Sequence, residues 1–218
     1  MDDPVPSELT RNALIEKLSS VSFPTLGHFL EDGFVDFGMR SLLTNIKMIG
    51  NVVTLKLADA DAVAVAFAVS RLTPGDVLVI DLQGDHAHAP VGAVTATAAA
   101  QAGAAGIVID GVATDVHELR AIGLPVFSRG TSLLTTKLRG TGTSRFNEPV
   151  ACGQVEVKPG MLALGDDNGL LFADTATLID VIDKALASDQ AEPALLEKIK
   201  SGRAYASILD LTPAHVYD

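Results

Sequence analysis

Between residues 81 and 115 the chain gathers most of the side chains able to do acid–base or ligand chemistry. Asp81, Asp85, His86 and His88 crowd one short stretch, and Asp110 and Asp115 follow a later apolar run. In parallel sheets, ligands collect beyond the carboxyl ends of strands, where loops and helix N-termini converge. A small-residue helix starting near Ala93 would point free backbone N–H groups into that crevice, and these bind a carboxylate or phosphate without side-chain help. His86 and His88, two residues apart, make a metal half-site that Asp85 or Asp115 would complete. The same residues also read as a solvated acidic loop. His28, His117 and His215 have no partners visible in the sequence and are expected to be structural or superficial. Cys152 lies in Val150-Ala151-Cys152-Gly153, ahead of a strand, where a small buried thiol is the default. The chain contains no Gly-x-Ser-x-Gly elbow, Walker loop or Gly-x-Gly-x-x-Gly fingerprint.

The elements that must hold these residues follow from the apolar patterning. Val77–Ile80 and Gly106–Asp110 read as buried strands flanking the loop 81–92 and a helix over Ala93–Ala102, a unit suited to a parallel crossover. Pro74-Gly75 and Pro159-Gly160 each sit at the centre of a type II turn that feeds an apolar run. Gly103-Ala104-Ala105-Gly106 is the end of a helix rather than a nucleotide loop. Upstream, Leu9, Ala13, Leu14 and Leu18 share a helical face, and Ser22–Phe37 holds a second short helix with Pro24 in its first turn. Asn45–Leu57 reads as a strand with one buried face, and Asp59 or Asp61 caps a helix to about Arg71. Val116–Ala121 is a further helix and Pro125-Val126-Phe127 a short strand. Thr175–Leu209 reads as two amphipathic helices broken near Glu192-Pro193. The expected fold is therefore α/β, one layered domain over residues 1–218, with a buried central sheet and helices at both chain ends.

Composition narrows the partners. The 218 residues carry 27 acidic and 16 basic side chains, a net charge of −11, with no tryptophan and 5% aromatics. Direct nucleic-acid binding needs a concentrated positive field or stacking platforms, and neither is expected here. A single cysteine precludes an internal disulfide framework or a multi-cysteine zinc site. No apolar run approaches the ~20 residues of a membrane span, and the acidic start Met-Asp-Asp-Pro is unlike a signal peptide. A cytoplasmic protein is expected.

An ordered series of blocks resembles one family. It runs Pro74-Gly75-Asp76-Val77-Leu78-Val79-Ile80-Asp81, Gly84-Asp85, Ala89 and Gly92. Gly106-Ile107-Val108-Ile109-Asp110-Gly111, Asp115-Val116, Glu118-Leu119-Arg120, Pro125-Val126-Phe127 and Arg129-Gly130 come next. Pro149-Val150, Pro159-Gly160 and Gly165-Asp166-Asp167-Asn168-Gly169 complete it. The chain is similar, best over residues 74–173, to the class II pyruvate aldolases that cleave 4-hydroxy-4-methyl-2-oxoglutarate and to their relative, regulator of ribonuclease activity A. The resemblance implies a homotrimer or homohexamer with active sites between subunits and a divalent metal, Mg²⁺ or Mn²⁺, held largely through waters. It implies that a small 2-oxo acid binds by its carboxylate to backbone N–H groups after Gly92. Gly92, Ala93, Val94, Thr95 and Thr114 are then the substrate-binding residues, Asp115 the metal-side acid, and Thr114 and Asp115 catalytic; His88, from the loop chemistry rather than the resemblance, is the third catalytic candidate. The activity implied is retro-aldol release of pyruvate, with oxaloacetate decarboxylation through the same enolate.

Three positions depart from the family pattern. Thr114 stands where an arginine precedes the aspartate, Ala93 where an acid is usual, and Val91 where tryptophan is common. A threonine hydroxyl supplies one neutral hydrogen bond in place of a charged fork. Three outcomes fit: a repurposed site with His86, His88 or Arg129 restoring charge; a non-catalytic regulator that binds a protein partner; or simple loss of activity. Glu197, on the C-terminal helix, is an acid that a neighbouring subunit could contribute.

Overall fold

The computed structural model describes residues 8–211, so His215 and the side chain of Leu9 lie outside the described part. Four parallel strands form its centre: β2 (Lys47–Lys56), β3 (Asp76–Asp81), β4 (Gly106–Ala113) and β5 (Val126–Thr131). The crossovers are α3 (Ala62–Val69), α4 (Ala93–Gln101) and α5 (Val116–Ile122). All six residues of β3 are buried, as a strand covered on both faces requires. Along it Leu78 and Ile80 pack towards the crossover helices, while Val77 and Val79 face a second core. β2 departs from the expected single buried face. Its second half is buried on both sides, and Thr54 donates its hydroxyl to the Glu148 carbonyl at 2.5 Å, which makes that burial tolerable.

The sheet continues antiparallel through β9 (Leu162–Asp166) and β10 (Gly169–Ala173). Leu162, Leu164 and Leu171 look outward to a third core made with α1 (Glu8–Ser20), α2 (Phe23–Leu26) and α6 (Thr175–Lys200). Ala163, Leu170 and Phe172 point inward, against the hairpin of β7 (Val150–Cys152) and β8 (Val155–Val157). Of the expected α1 face, Leu14 and Leu18 are buried but Ala13 is exposed. β6 (Arg145–Phe146) adds a short antiparallel pairing to the end of β2.

One segment draws the two sides of the sheet together. Residues 33–35 pair with β10, with the Val35 N–H on the Leu170 carbonyl at 3.0 Å and the Phe172 N–H on the Gly33 carbonyl at 2.9 Å. The same chain then enters β1 (Arg40–Ser41), antiparallel to β5. Arg40 donates to the Asn168 carbonyl across the gap at 3.0 Å. The sheet is thus nearly a closed barrel. The short helix expected within Ser22–Phe37 is α2, Phe23–Leu26, with Pro24 in its first turn, and this pairing takes up the rest of the segment. Gly33 turns at φ +86°, and a Cβ there would collide with the Phe172 carbonyl.

The expected helix break near Pro193 is also corrected: α6 runs unbroken from Thr175 to Lys200. Proline removes one N–H donor, which would have reached the Asp189 carbonyl, but good helix formers follow on both sides. The Asp189 carboxylate meanwhile clamps α2, accepting from Ser22 N–H at 2.5 Å and from the Thr25 hydroxyl. Asp61, not Asp59, caps α3, accepting from Val63 N–H at 2.9 Å. Both Pro-Gly turns carry the positive glycine φ they require, +87° at Gly75 and +88° at Gly160. No helix among the described residues is long and apolar enough to cross a membrane.

Cys152 is fully buried, and burial first of all pushes its thiol well above the ordinary cysteine range. Its nucleophilic thiolate is therefore suppressed. Native protein should react negligibly with an aromatic disulfide reagent at pH 7.5, and one thiol per chain should appear on denaturation. Stoichiometric labelling of the folded protein would contradict this burial.

Candidate active site

The helix expected at Ala93 is present and begins on Gly92, which has no side chain with which to cap it. The cap comes from another loop. Asp115, at the start of α5, accepts the Ala93 N–H on its Oδ2 at 2.9 Å. It does so from a left-handed backbone, φ 55° and ψ 43°, rather than the extended geometry usual at a helix start, and it makes no cap to its own helix. Aspartate tolerates that region better than most residues, and such strain gathers at functional sites. Thr114 completes the arrangement. Its N–H donates to the Val91 carbonyl at 2.9 Å and its hydroxyl approaches Asp115 Oδ1 at 3.3 Å.

Gly92 is required by this contact. A Cβ there would overlap the Asp115 carboxylate and come within 2.8 Å of Thr114 Cγ2. Gly92→Ala should therefore displace Asp115, lowering stability by about 1–3 kcal/mol and removing ligand binding at the helix start. Chemical denaturation together with substrate titration checks this. Wild-type values on both would mean that the loops yield freely.

Capping by Asp115 satisfies only part of the helix start. Ala93 N–H is taken and Ala96 N–H bonds Gly92 O, while Val94 and Thr95 N–H have no hydrogen-bond partner among the described residues. Two adjacent donors at a helix start suit one carboxylate, aided by the helix dipole. Val94 itself is 85% exposed, so the site opens to the surface. The five expected substrate-binding positions, Gly92, Ala93, Val94, Thr95 and Thr114, thus lie together with Asp115. A divalent cation has less provision. Among the described residues no group of three metal-ligating side chains exists. Asp115 Oδ1 is met, among the described residues, only by the weak Thr114 contact. One carboxylate completed by waters is a set that Mg²⁺ accepts.

The other expected residues separate from this centre. His88 is held by Asp85, Nδ1 to Oδ2 at 2.7 Å, and lines a different cleft with Asp59 and Arg139. His86 is exposed and without a partner among the described residues, so the two histidines do not converge as a half-site. Asp85 also accepts N–H groups of Ala87 and His88. Burial would raise its carboxyl, but those donors and the imidazole outweigh burial and hold it low. Asp81 accepts from Gln83 N–H at 2.7 Å and Ala151 N–H at 3.3 Å. Asp110 accepts from Gly153 N–H at 2.9 Å and from Arg129. The four acids expected around one crevice therefore serve separate partners. Arg129 cannot supply the missing charge at Thr114, because its guanidinium is shared between Asp110 and Asp36, the latter at 2.8 and 3.1 Å. Glu197 pairs with Lys200 on the exposed distal part of α6.

The nearly closed α/β sheet, with the start of α4 capped by a carboxylate from the loop after β4, places the chain in the class of barrel-like α/β proteins. Residues 26–172 match the RraA-like family, described as Aldolase/RraA, and the chain belongs to that family. It is 34% identical over 171 residues to a Halalkalibacterium halodurans protein named "Putative 4-hydroxy-4-methyl-2-oxoglutarate aldolase", covering 77% of this chain and 80% of the relative. Among solved structures it is similar to Streptomyces coelicolor RraAS2, titled an unusual member of the RNase ES inhibitor RraA protein family. There the TM-score is 0.72 at 25% identity, covering 88% of this chain and 98% of that one. An uncharacterized Pseudomonas syringae protein shares the fold with a TM-score of 0.77 at 21% identity, over 95% of this chain and 99% of that one.

Proposed function

We propose that this protein is a carbon–carbon lyase of the 4-hydroxy-4-methyl-2-oxoglutarate aldolase type, releasing pyruvate from a small 2-oxo acid. The observation that supports it most is the pair of unpartnered N–H groups, Val94 and Thr95, beside the Asp115 carboxylate. In this reading the substrate carboxylate sits on those two donors, and Thr114 Oγ1 hydrogen-bonds the reacting oxo group. Asp115 would hold Mg²⁺ or Mn²⁺, largely through waters. Such a cation supplies Lewis-acid stabilisation of the enolate formed when the C–C bond breaks. Asp115 also orients the helix start by fixing Ala93 N–H, so binding and metal positioning depend on one side chain. His88, the third catalytic candidate, would act only if a neighbouring subunit brought it near.

A homotrimer or homohexamer acting in the cytoplasm belongs to the same reading. It is supported by exposed apolar side chains, Leu133 at 99%, Leu138 at 82% and Val94 at 85%, of the sort that subunit contacts cover. The second reading is a protein-binding regulator. The Streptomyces relative and the charge of −11 support it, because an acidic surface suits a basic partner segment.

Purified protein with Mg²⁺ or Mn²⁺ should release pyruvate from 4-hydroxy-2-oxo acids or oxaloacetate, measured by coupled NADH oxidation. Chelator should abolish the release. Absence of turnover across that panel, with capture of a partner at low salt, would transfer the assignment to the regulator.

A further inference from the structure

A second cleft, of about 440 Å³, opens between the turn at Asp59-Ala60, the loop carrying Gln83, Asp85 and His88, and Arg139. Its volume suits a compact metabolite. Leu57 and Leu82 are buried beneath it, so its floor is apolar and its polar groups stand at the rim. The rim is held firmly. Asp61, itself 1% exposed, accepts Arg139 N–H at 3.1 Å and Thr141 N–H at 2.8 Å. The Thr143 hydroxyl donates to Asp59 Oδ2 at 2.8 Å, and Gln83 Nε2 donates to the Leu57 carbonyl at 3.0 Å.

Three features point to a ligand. Asp59, Ala60 and Gln83 all adopt left-handed backbone, with φ of 56°, 47° and 53°, so three strained non-glycine residues line one cleft. Such strain persists where surrounding structure over-determines it, typically at binding sites. The Arg139 guanidinium has no hydrogen bond or ion pair among the described residues. His88 is oriented by a third group, since Asp85 takes its Nδ1. In the neutral ring that bond places the proton on Nδ1 and leaves Nε2 an acceptor.

We propose that this cleft binds a small hydroxylated oxyanion, its carboxylate or phosphate on Arg139 and its neighbouring hydroxyl donating to His88 Nε2. An isolated fork of donors accounts for the anion, and a bare ring nitrogen accounts for the hydroxyl. Asp59 and the free oxygen of Gln83 are acceptors for a second hydroxyl. The site is separate from Thr114 and Asp115.

Glycerate, glycerol 3-phosphate and propionate serve as probes, followed through the ring nitrogen resonances of His88 by NMR on the full chain. Glycerate or glycerol 3-phosphate should shift them saturably, and the stronger of the two identifies carboxylate or phosphate as the natural anion. Propionate, lacking the hydroxyl, should bind about tenfold more weakly or worse, the loss expected for one hydrogen bond to a charged or oriented group. Arg139→Gln, at an exposed side chain, should weaken binding by about tenfold or more. Asp115→Asn should leave it unchanged, so that failure here is distinguishable from failure of the lyase assignment. No saturable shift with either hydroxylated probe, propionate binding equally well, or an unaltered Arg139→Gln protein would each overturn the proposal.

Discussion

Replacing Arg129 with methionine should destabilise the fold by about 3 kcal/mol, the usual scale for removing one member of a largely buried ion pair. The guanidinium joins Asp36, on the segment before β1, to Asp110 on β4, with all three side chains no more than 24% exposed. Methionine retains the apolar stem but leaves two carboxylates unpaired. For a chain of this size the melting temperature should fall by about 6–12 °C. The effect depends on pH in a definite direction. The Arg129 hydrogen bonds hold the Asp36 carboxyl below the ordinary carboxylate range, against the opposing effect of its burial. A depressed folded value contributes stability above the unfolded value of about 3.9, and that contribution is lost as pH falls through the folded one. The gap between wild type and Arg129→Met should therefore be full at pH 7 and narrow below about pH 4. Urea unfolding at both pH values measures it, and a difference under about 1 kcal/mol at pH 7 would show that the triad is only a surface feature.

Restoring arginine at Thr114 should raise pyruvate release by about 10²–10³, the scale of one electrostatic donor acting on developing negative charge. The gain should appear in kcat more than in KM if, as proposed, the Val94 and Thr95 N–H groups bind the substrate carboxylate in the ground state. Adding Ala93→Asp supplies the second family acid and should strengthen metal dependence. Asp115→Asn on the same background should remove the gain, since that side chain caps α4 and is the one proposed to hold the cation. Steady-state kinetics with a matched Mg²⁺ series measure these changes. A folded Thr114→Arg protein with unchanged turnover would point instead to the protein-binding role.

Much of the scaffold was legible because its physics is local. The buried runs of β3 and β4, the Pro-Gly turns and the Ala-rich α4 all announce themselves through composition and periodicity. The start of α4 after Gly92 followed from the strand–loop–helix order alone. The source of its cap did not. Gly92 gives only the hint of a missing side chain, and the carboxylate that replaces it lies 23 positions away in sequence. Long-range polar pairings such as Arg129–Asp36, separated by 93 positions, leave no periodic trace. The same holds for the Asp61 carboxylate. Burial alone would raise it, yet the N–H groups of Gly140, Thr141, Val63 and Arg139 bring it down to about 2. Pro193 reads as a break in the sequence, but its single lost N–H bond on an exposed stretch is outweighed by the good helix formers on both sides.

The segment from Gly33 to Ser41 has a consequence for how copies of this chain meet. By pairing with β10 on one side and β5 on the other, it covers part of both margins of the large sheet, where an open edge would invite a second sheet. An assembly or partner is therefore expected to engage side chains on helices and loops rather than these two margins. The same suture guards against runaway cross-chain pairing, and Asp36, within it, is fastened by Arg129. Loosening that one latch should uncover strand backbone on both margins, so Arg129→Met is expected to aggregate more readily as well as to unfold more easily.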